Sequence, residues 1–357
     1  MSNYLDAAIA TALGAGDRFL NIFGLDKDYL TGGYDQLRSF LGPHVQYPLG
    51  LIGLDVDYLV WLLCVLAPII FAFVLPLITV TVFYLCICVI NFVKFKHHFY
   101  QIGHSGNWRK AGRLACAIMW RTLGRLWHGY EVRGLDKLPI NAESPAMLVY
   151  YHGEMPIDCY YLMAELVLQN NDKTKSVADR FVFQLPGWGA MLEAFNVIRG
   201  TRSECEEAFS QGYFVLLAPG GTREMLYSDA NYDIHWGSRL GYAKLALKAK
   251  VPIYPVFTRN IREVFRFVRI RPFWNWQLKL YERFKLPFVL LYGGFPSKLV
   301  TFIGDPIMVE SEENMAVEDL NERVQSALKN IIDNVQPKPG KIIRAFLERF
   351  HPVQVSL

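Results

Sequence analysis

With 357 residues, the chain is long enough for one domain with a complete core and a smaller appendage. Hydrophobic residues make up 52% of it, charged residues only 20%, and its mean hydropathy is +0.16, which excludes a disordered protein and points toward a membrane. A net charge of +4, without zinc-finger, RNP or basic-zipper spacing, excludes a nucleic-acid binder.

Residues 1–56 carry amphipathic stretches (Leu5, Ile9, Leu13, Phe19, Leu20, Phe23) separated by glycines and read as an N-terminal amphipathic extension. No basic stretch followed by a short apolar core and a small-residue cleavage site opens the chain, so no signal peptide is expected. From Tyr58 to Val93 there are 36 residues without a charge, bounded by Asp57 and Lys94. As one helix they would run roughly 54 Å, against a hydrocarbon core of about 30 Å. Residues 57–94 therefore read as a membrane segment. It is expected as a helical hairpin turning near Pro68 and Pro76, with a single long, kinked span as the alternative.

A basic collar follows at residues 95–130 and just beyond. Counted from Lys94 to Arg133, eight basic residues face one acid, Glu131, which places the rest of the chain in the cytosol. Trp108, Trp120 and Trp127 alternate with these charges, as in a helix lying at lipid headgroups. His97, His98 and His104 have no carboxylate or cysteine beside them to complete a metal site. Of six cysteines, Cys64, Cys86 and Cys88 lie in the apolar run. Cys116, Cys159 and Cys205 are scattered without paired spacing, the usage of a reducing compartment.

Residues 131–335 read as an α/β domain, a mixed β-sheet flanked by helices, with 336–357 as a C-terminal tail. Glu131–Pro139 reads as a short strand and turn, and buried strands are expected at Ala146–Tyr151, Arg180–Phe183, Phe214–Ala218, Ile253–Phe257 and Leu299–Ile303. A closing amphipathic helix is expected at Glu318–Val335, with Leu320, Val324, Leu328, Ile331 and Ile332 on one face.

Four blocks in this domain carry chemistry. The strand AMLVYY runs directly into His152-Gly153-Glu154-Met155-Pro156-Ile157-Asp158. There an aspartate can hold one imidazole nitrogen protonated while the other takes a proton from a hydroxyl. A second apolar strand runs into Pro219-Gly220-Gly221-Thr222-Arg223-Glu224. Its two glycines let backbone N–H groups approach a ligand, and Arg223 offers a fork for phosphate or an oxyanion. The other two blocks are FNVIRGTR, with Arg199 and Arg202 around Gly200, and VPIYPV, a strand entered and interrupted by proline. From Arg259 to Lys285, basic residues such as Arg262, Arg266 and Arg269 interleave with aromatics, a pattern suited to anionic headgroups or the phosphates of CoA. Gly103-His104-Ser105-Gly106 is not a hydrolase elbow, because Asn107 stands where that motif needs glycine.

These blocks, in this order, resemble the glycerolipid acyltransferase superfamily over roughly residues 131–307, and most of all its mono- and diacylglycerol acyltransferase branch. The resemblance implies a membrane enzyme of the endoplasmic reticulum, with its catalytic domain facing the cytosol. It would transfer a fatty acyl group from acyl-CoA, as co-substrate, to a glycerolipid hydroxyl and make triacylglycerol without a cofactor or metal. It puts the base on His152 and its partner on Asp158, matches Arg199 to the arginine that meets substrate phosphate or glycerol, and matches Gly221, Thr222 and Arg223 to a Gly-Thr-Arg block. Two departures stand out: five residues rather than four separate His152 from Asp158, and Gly220 replaces a glutamate, leaving Glu224 as the nearby carboxylate. Both favour a neutral acceptor over a phospholipid. The acceptor itself (mono- or diacylglycerol, lysophospholipid, or an alcohol) stays open, and the rival reading is a lipid-binding membrane protein without activity.

Overall fold

In the computed structural model, apart from the isolated positions Asp35 and Ser39, residues 56–100, 108–140, 144–169, 173–269, 273–284, 287, 289–309 and 315–350 are described. The amphipathic stretches of the extension, the side chains of the three histidines and the GHSGN segment lie outside the described residues.

The apolar run forms one helix, α1 (Val56–Tyr100), with no reversal at Pro68 or Pro76, so the hairpin is not the arrangement seen. Within α1, Phe73–Lys96 is long and apolar enough to cross a membrane, with a mean hydropathy of 2.7. Thr79, Thr81 and Asn91 each donate back to a carbonyl four residues earlier, which satisfies those donors within the helix. The next helix, α2 (Trp108–His128), packs against α1. Trp120 lies wholly inside, against Phe83 of α1 and Tyr160, so it is a core residue and not the headgroup residue its spacing suggested.

The remaining elements in chain order are β1 (Glu131–Arg133), β2 (Ala146–Tyr150), α3 (Ile157–Leu168), β3 (Thr174–Val177), α4 (Gly189–Ala194), β4 (Val197–Ile198), α5 (Arg202–Ser210), β5 (Phe214–Leu217), α6 (Gly221–Tyr227), α7 (Gly241–Ala249) and β6 (Ile253–Arg259). After them come α8 (Ile261–Val264), β7 (Phe265–Phe267), α9 (Phe273–Phe284), β8 (Leu291–Gly293), β9 (Val300–Ile303), α10 (Val317–Val335) and α11 (Ile342–Leu347). Arg180–Gln184, expected as a strand, is a 3-10 helix; its apolar side chains are only partly covered, which a buried strand would not allow. Of the segment expected as a tail, residues 336–350 are described, and they pack into the domain, where Glu348 forms a buried ion pair with Arg259.

Seven strands form a mixed sheet in the order β1-β9-β6-β2-β5-β3-β4. The strands β6, β2, β5, β3 and β4 are mutually parallel, and β9 reverses against β6. A central parallel strand is covered on both faces and so reads as an unbroken apolar run, as AMLVY and FVLL do. The helix α10 packs against β6 and α7, burying Leu320, Val324, Leu328, Ile331 and Ile332. Because five strands share one direction, their carboxyl ends lie along one edge, where ligands of open α/β sheets bind. That edge receives His152 from β2, Pro219–Gly221 from β5, Asp179 from β3, Arg199 from β4 and Asn260–Arg262 from β6.

Candidate active site

His152 leaves β2 half-buried, and its backbone is held on both sides. Its N–H donates to Glu224 Oε2 at 2.9 Å, and Arg262 Nη2 donates to its carbonyl at 3.2 Å. The imidazole Nδ1 lies 2.6 Å from the Gly153 carbonyl oxygen. A carbonyl only accepts, so Nδ1 carries the proton and Nε2 of the neutral ring keeps its lone pair. Burial pushes the imidazole down to about 4; the Gly153 bond and the Asp179 carboxylate oppose that fall, and Arg262 adds to it. Gly153 is glycine because a Cβ there would stand 2.7 Å from Ile261 Cγ1.

Asp158 does not hydrogen-bond His152. It lies buried in the first turn of α3, bonded to the Thr258 hydroxyl, and its Oδ1 has no partner among the described residues. Thr258 continues to Thr301 at 2.8 Å, and Thr301 to the Tyr130 hydroxyl at 2.9 Å. Burial pushes the Asp158 carboxyl up to about 7. The expected His–Asp pair is thus replaced in this structure by a His–carbonyl pair, with the aspartate turned into a buried polar chain.

The second block meets the first through Glu224, whose side chain is fully buried. Besides His152 N–H, it accepts from Trp236 Nε1 at 3.0 Å, and burial raises its carboxyl to about 7. Gly220 makes this possible, since a Cβ there would fall 2.4 Å from Glu224 Cβ. Gly221 sits at φ +47°, a backbone region that favours glycine. Thr222 donates to Asp179 Oδ2 at 3.0 Å, joining this loop to the end of β3. Arg223 is exposed, over the Tyr227 ring. Arg199 is exposed at the outer end of the edge, over Phe183. The structure therefore brings His152, Gly220, Gly221, Thr222 and Glu224 together, places Arg199 and Arg223 on the rim, and leaves Asp158 bonded to Thr258 and not to His152.

Two residues were not singled out from the sequence as members of this site. Arg262, expected at headgroups or CoA phosphates, is buried. It donates to the Tyr151 hydroxyl at 2.6 Å, to Glu154 Oε1 at 2.8 Å, and to the carbonyls of Glu224, Ser228 and His152. Its neighbours in that segment also turn inward, Arg266 to the Gly340 carbonyl and Arg269 to the Ser228 carbonyl. The signal available was position, because Arg262 follows β6 as His152 follows β2. Arg239 donates to the carbonyls of Gly220 at 2.8 Å and Pro219 at 3.2 Å, steadying the glycine turn; no motif marked it.

A family model described as Acyltransferase matches residues 129–259, which end with β6. Curated relatives described as "DGAT1/2-independent enzyme synthesizing storage lipids" align over most of the chain. The Homo sapiens protein is 41% identical over 295 residues, 83% of this chain and 87% of its own length. The Gallus gallus protein is 40% identical over 302 residues, 83% and 86%. This chain belongs to the glycerolipid acyltransferase superfamily. It is an acyltransferase, of the animal transmembrane protein 68 type. Among solved structures, the 1-acyl-sn-glycerophosphate (LPA) acyltransferase PlsC of Thermotoga maritima aligns over 70% of this acyltransferase and 95% of its own chain, with 16% identity and a TM-score of 0.44.

Proposed function

We propose that this acyltransferase esterifies diacylglycerol to triacylglycerol from acyl-CoA, with His152 as general base. The observation that carries the mechanism is the neutral imidazole at the sheet edge, its Nδ1 held by the Gly153 carbonyl and its Nε2 left as an acceptor. A lipid hydroxyl is a poor nucleophile, so Nε2 removes its proton as the oxygen attacks the thioester carbonyl. The tetrahedral oxyanion is met by donors of the Gly220–Gly221 turn or by Arg223, and collapse expels CoA thiolate, which takes up the proton from the imidazolium. No acyl-enzyme intermediate is required. A neutral acceptor is supported by the storage-lipid naming of the curated relatives.

The long apolar helix and its basic collar support a membrane enzyme with its domain on the cytosolic face, and we assign it to the endoplasmic reticulum. The test is purified protein with labelled acyl-CoA and a panel of monoacylglycerol, diacylglycerol, lysophospholipid and long-chain alcohol. Triacylglycerol is the expected main product, and His152→Ala should lower its rate by about 10²- to 10⁴-fold while the protein stays folded in the membrane. Wild-type rates in the His152→Ala protein would remove the base, and a preference for another acceptor would replace the substrate.

A further inference from the structure

The excursion β7–α9–β8 leaves the main sheet and builds a small core of its own. On one face of α9, Trp274, Gln277 and Tyr281 are buried. Trp274 and Tyr281 join Phe267 of β7 and Met225 and Leu226 of α6 in a cluster separate from the main core, and Trp274 stacks on Phe267. The Tyr227 hydroxyl donates to Glu282 Oε1 at 3.0 Å. So α9 sits directly on the helix that carries Gly221, Thr222 and Arg223.

Beside that buried face, α9 carries an apolar stripe that is left bare. Phe273 is 45% exposed, Trp276 54% and Phe284 58%, and the first two stack on one another in the open. At about 100° per residue these three fall in one stripe, with the exposed Lys279 and Arg283 along one border. Aromatic side chains bordered by cations suit the headgroup–acyl boundary of an anionic bilayer. The strand β8, which follows α9 in the chain, packs on the apolar helix α1, with Gly294 against Leu75.

We propose that α9 is seated in lipid. Phe273, Trp276 and Phe284 enter the surface of the bilayer that holds α1, and the small core beneath transmits that seating to α6. The inference rests on the membrane placement proposed above. It is tested with the full-length protein in vesicles of phosphatidylcholine and phosphatidylserine, in which part of the phosphatidylcholine carries brominated acyl chains. Bromine quenches an indole that lies within the bilayer. Quenching of the total tryptophan emission should be stronger in the wild-type protein than in Trp276→Phe; equal quenching puts Trp276 in water and overturns the proposal.

A second readout uses the combined Phe273→Ser, Trp276→Ser and Phe284→Ser variant. Its transfer to diacylglycerol should fall about tenfold when the acceptor is in vesicles and hold within about twofold when the acceptor is in detergent micelles. An equal fall in both media overturns the coupling to the site. An unquenched Trp276 in an active enzyme sinks the lipid seat alone. A quenched Trp276 in a protein inactive toward every acceptor supports the seat and sinks the acyl-transfer reading.

Discussion

The middle and the rim of the sheet edge are built differently. Where β2, β5 and β6 end, buried side chains are bonded to one another and to the backbone: Arg262 to Glu154 and Tyr151, Glu224 to Trp236 and to the His152 N–H. Where β3 and β4 end, Asp179 and Arg199 face outward, and Arg199 touches only an aromatic face among its described contacts. The middle is a fixed frame whose groups are already committed; at the rim Thr222 holds one Asp179 oxygen and Arg199 rests on Phe183, which leaves charge to meet a ligand. His152 stands at the junction, its backbone in the frame and its ring half-buried beside the rim.

If that division is right, substitutions should lose stability in the middle and substrate recognition at the rim. Arg262→Met is expected to cost about 3–5 kcal/mol, because it leaves Glu154 buried without its cation; thermal unfolding of the detergent-solubilised protein measures this. An unchanged midpoint would show that the frame does not depend on the pair. Asp158→Asn addresses pH. The folded carboxyl is raised to about 7, above its unfolded value, so the stability it contributes is full below about pH 4 and is lost as pH rises toward 7. Unfolding midpoints should therefore decline over that window in the wild-type protein and less steeply in the Asn variant. For Glu224→Gln the expectation is a loss of about 1–3 kcal/mol, since one amide cannot accept from both His152 N–H and Trp236 N–H. kcat should fall with KM nearly constant.

Thr222→Val removes one hydrogen bond to Asp179, worth about 0.5–1.5 kcal/mol, and would show as a small fall in unfolding midpoint. Smallest in stability is Arg199→Ala, within about 0.5 kcal/mol. Its effect should appear as a raised KM for acyl-CoA or acceptor, and a stability loss as large as that of Arg262→Met would erase the distinction between middle and rim.

The parts of this architecture legible in the sequence are those where burial and chain direction coincide. AMLVY, FVLL and the β6 run are apolar along their whole length because both faces of a central strand are covered. The outer strands gave no such signal: β3 is Thr-Lys-Ser-Val, and β4 is two residues long. Phe181–Phe183 misled in the other direction, because short apolar runs do not distinguish a strand from a helical turn. At the site, the blocks around His152 and Gly220–Glu224 were readable because each follows directly on an apolar strand and their order resembles that of a known family. Arg262 was hidden among other arginines whose burial only the fold decides, and sequence proximity paired Asp158 with a histidine to which it makes no hydrogen bond.

The manner in which α1 is fixed has a mechanical consequence. Leu75 lies at Gly294, Phe83 against Trp188 and Tyr160, Ile87 at Gly187, Ile90 at Gly112, and Lys94 pairs with Glu193, so the helix is fastened along some twenty residues. It acts as a keel and not as a mooring line. The place of the His152 ring relative to the helix axis is therefore set by side-chain packing along α1 and not by a linker. On the membrane placement proposed above, a lipid substrate would reach that station from the side, along the surface that α1 enters.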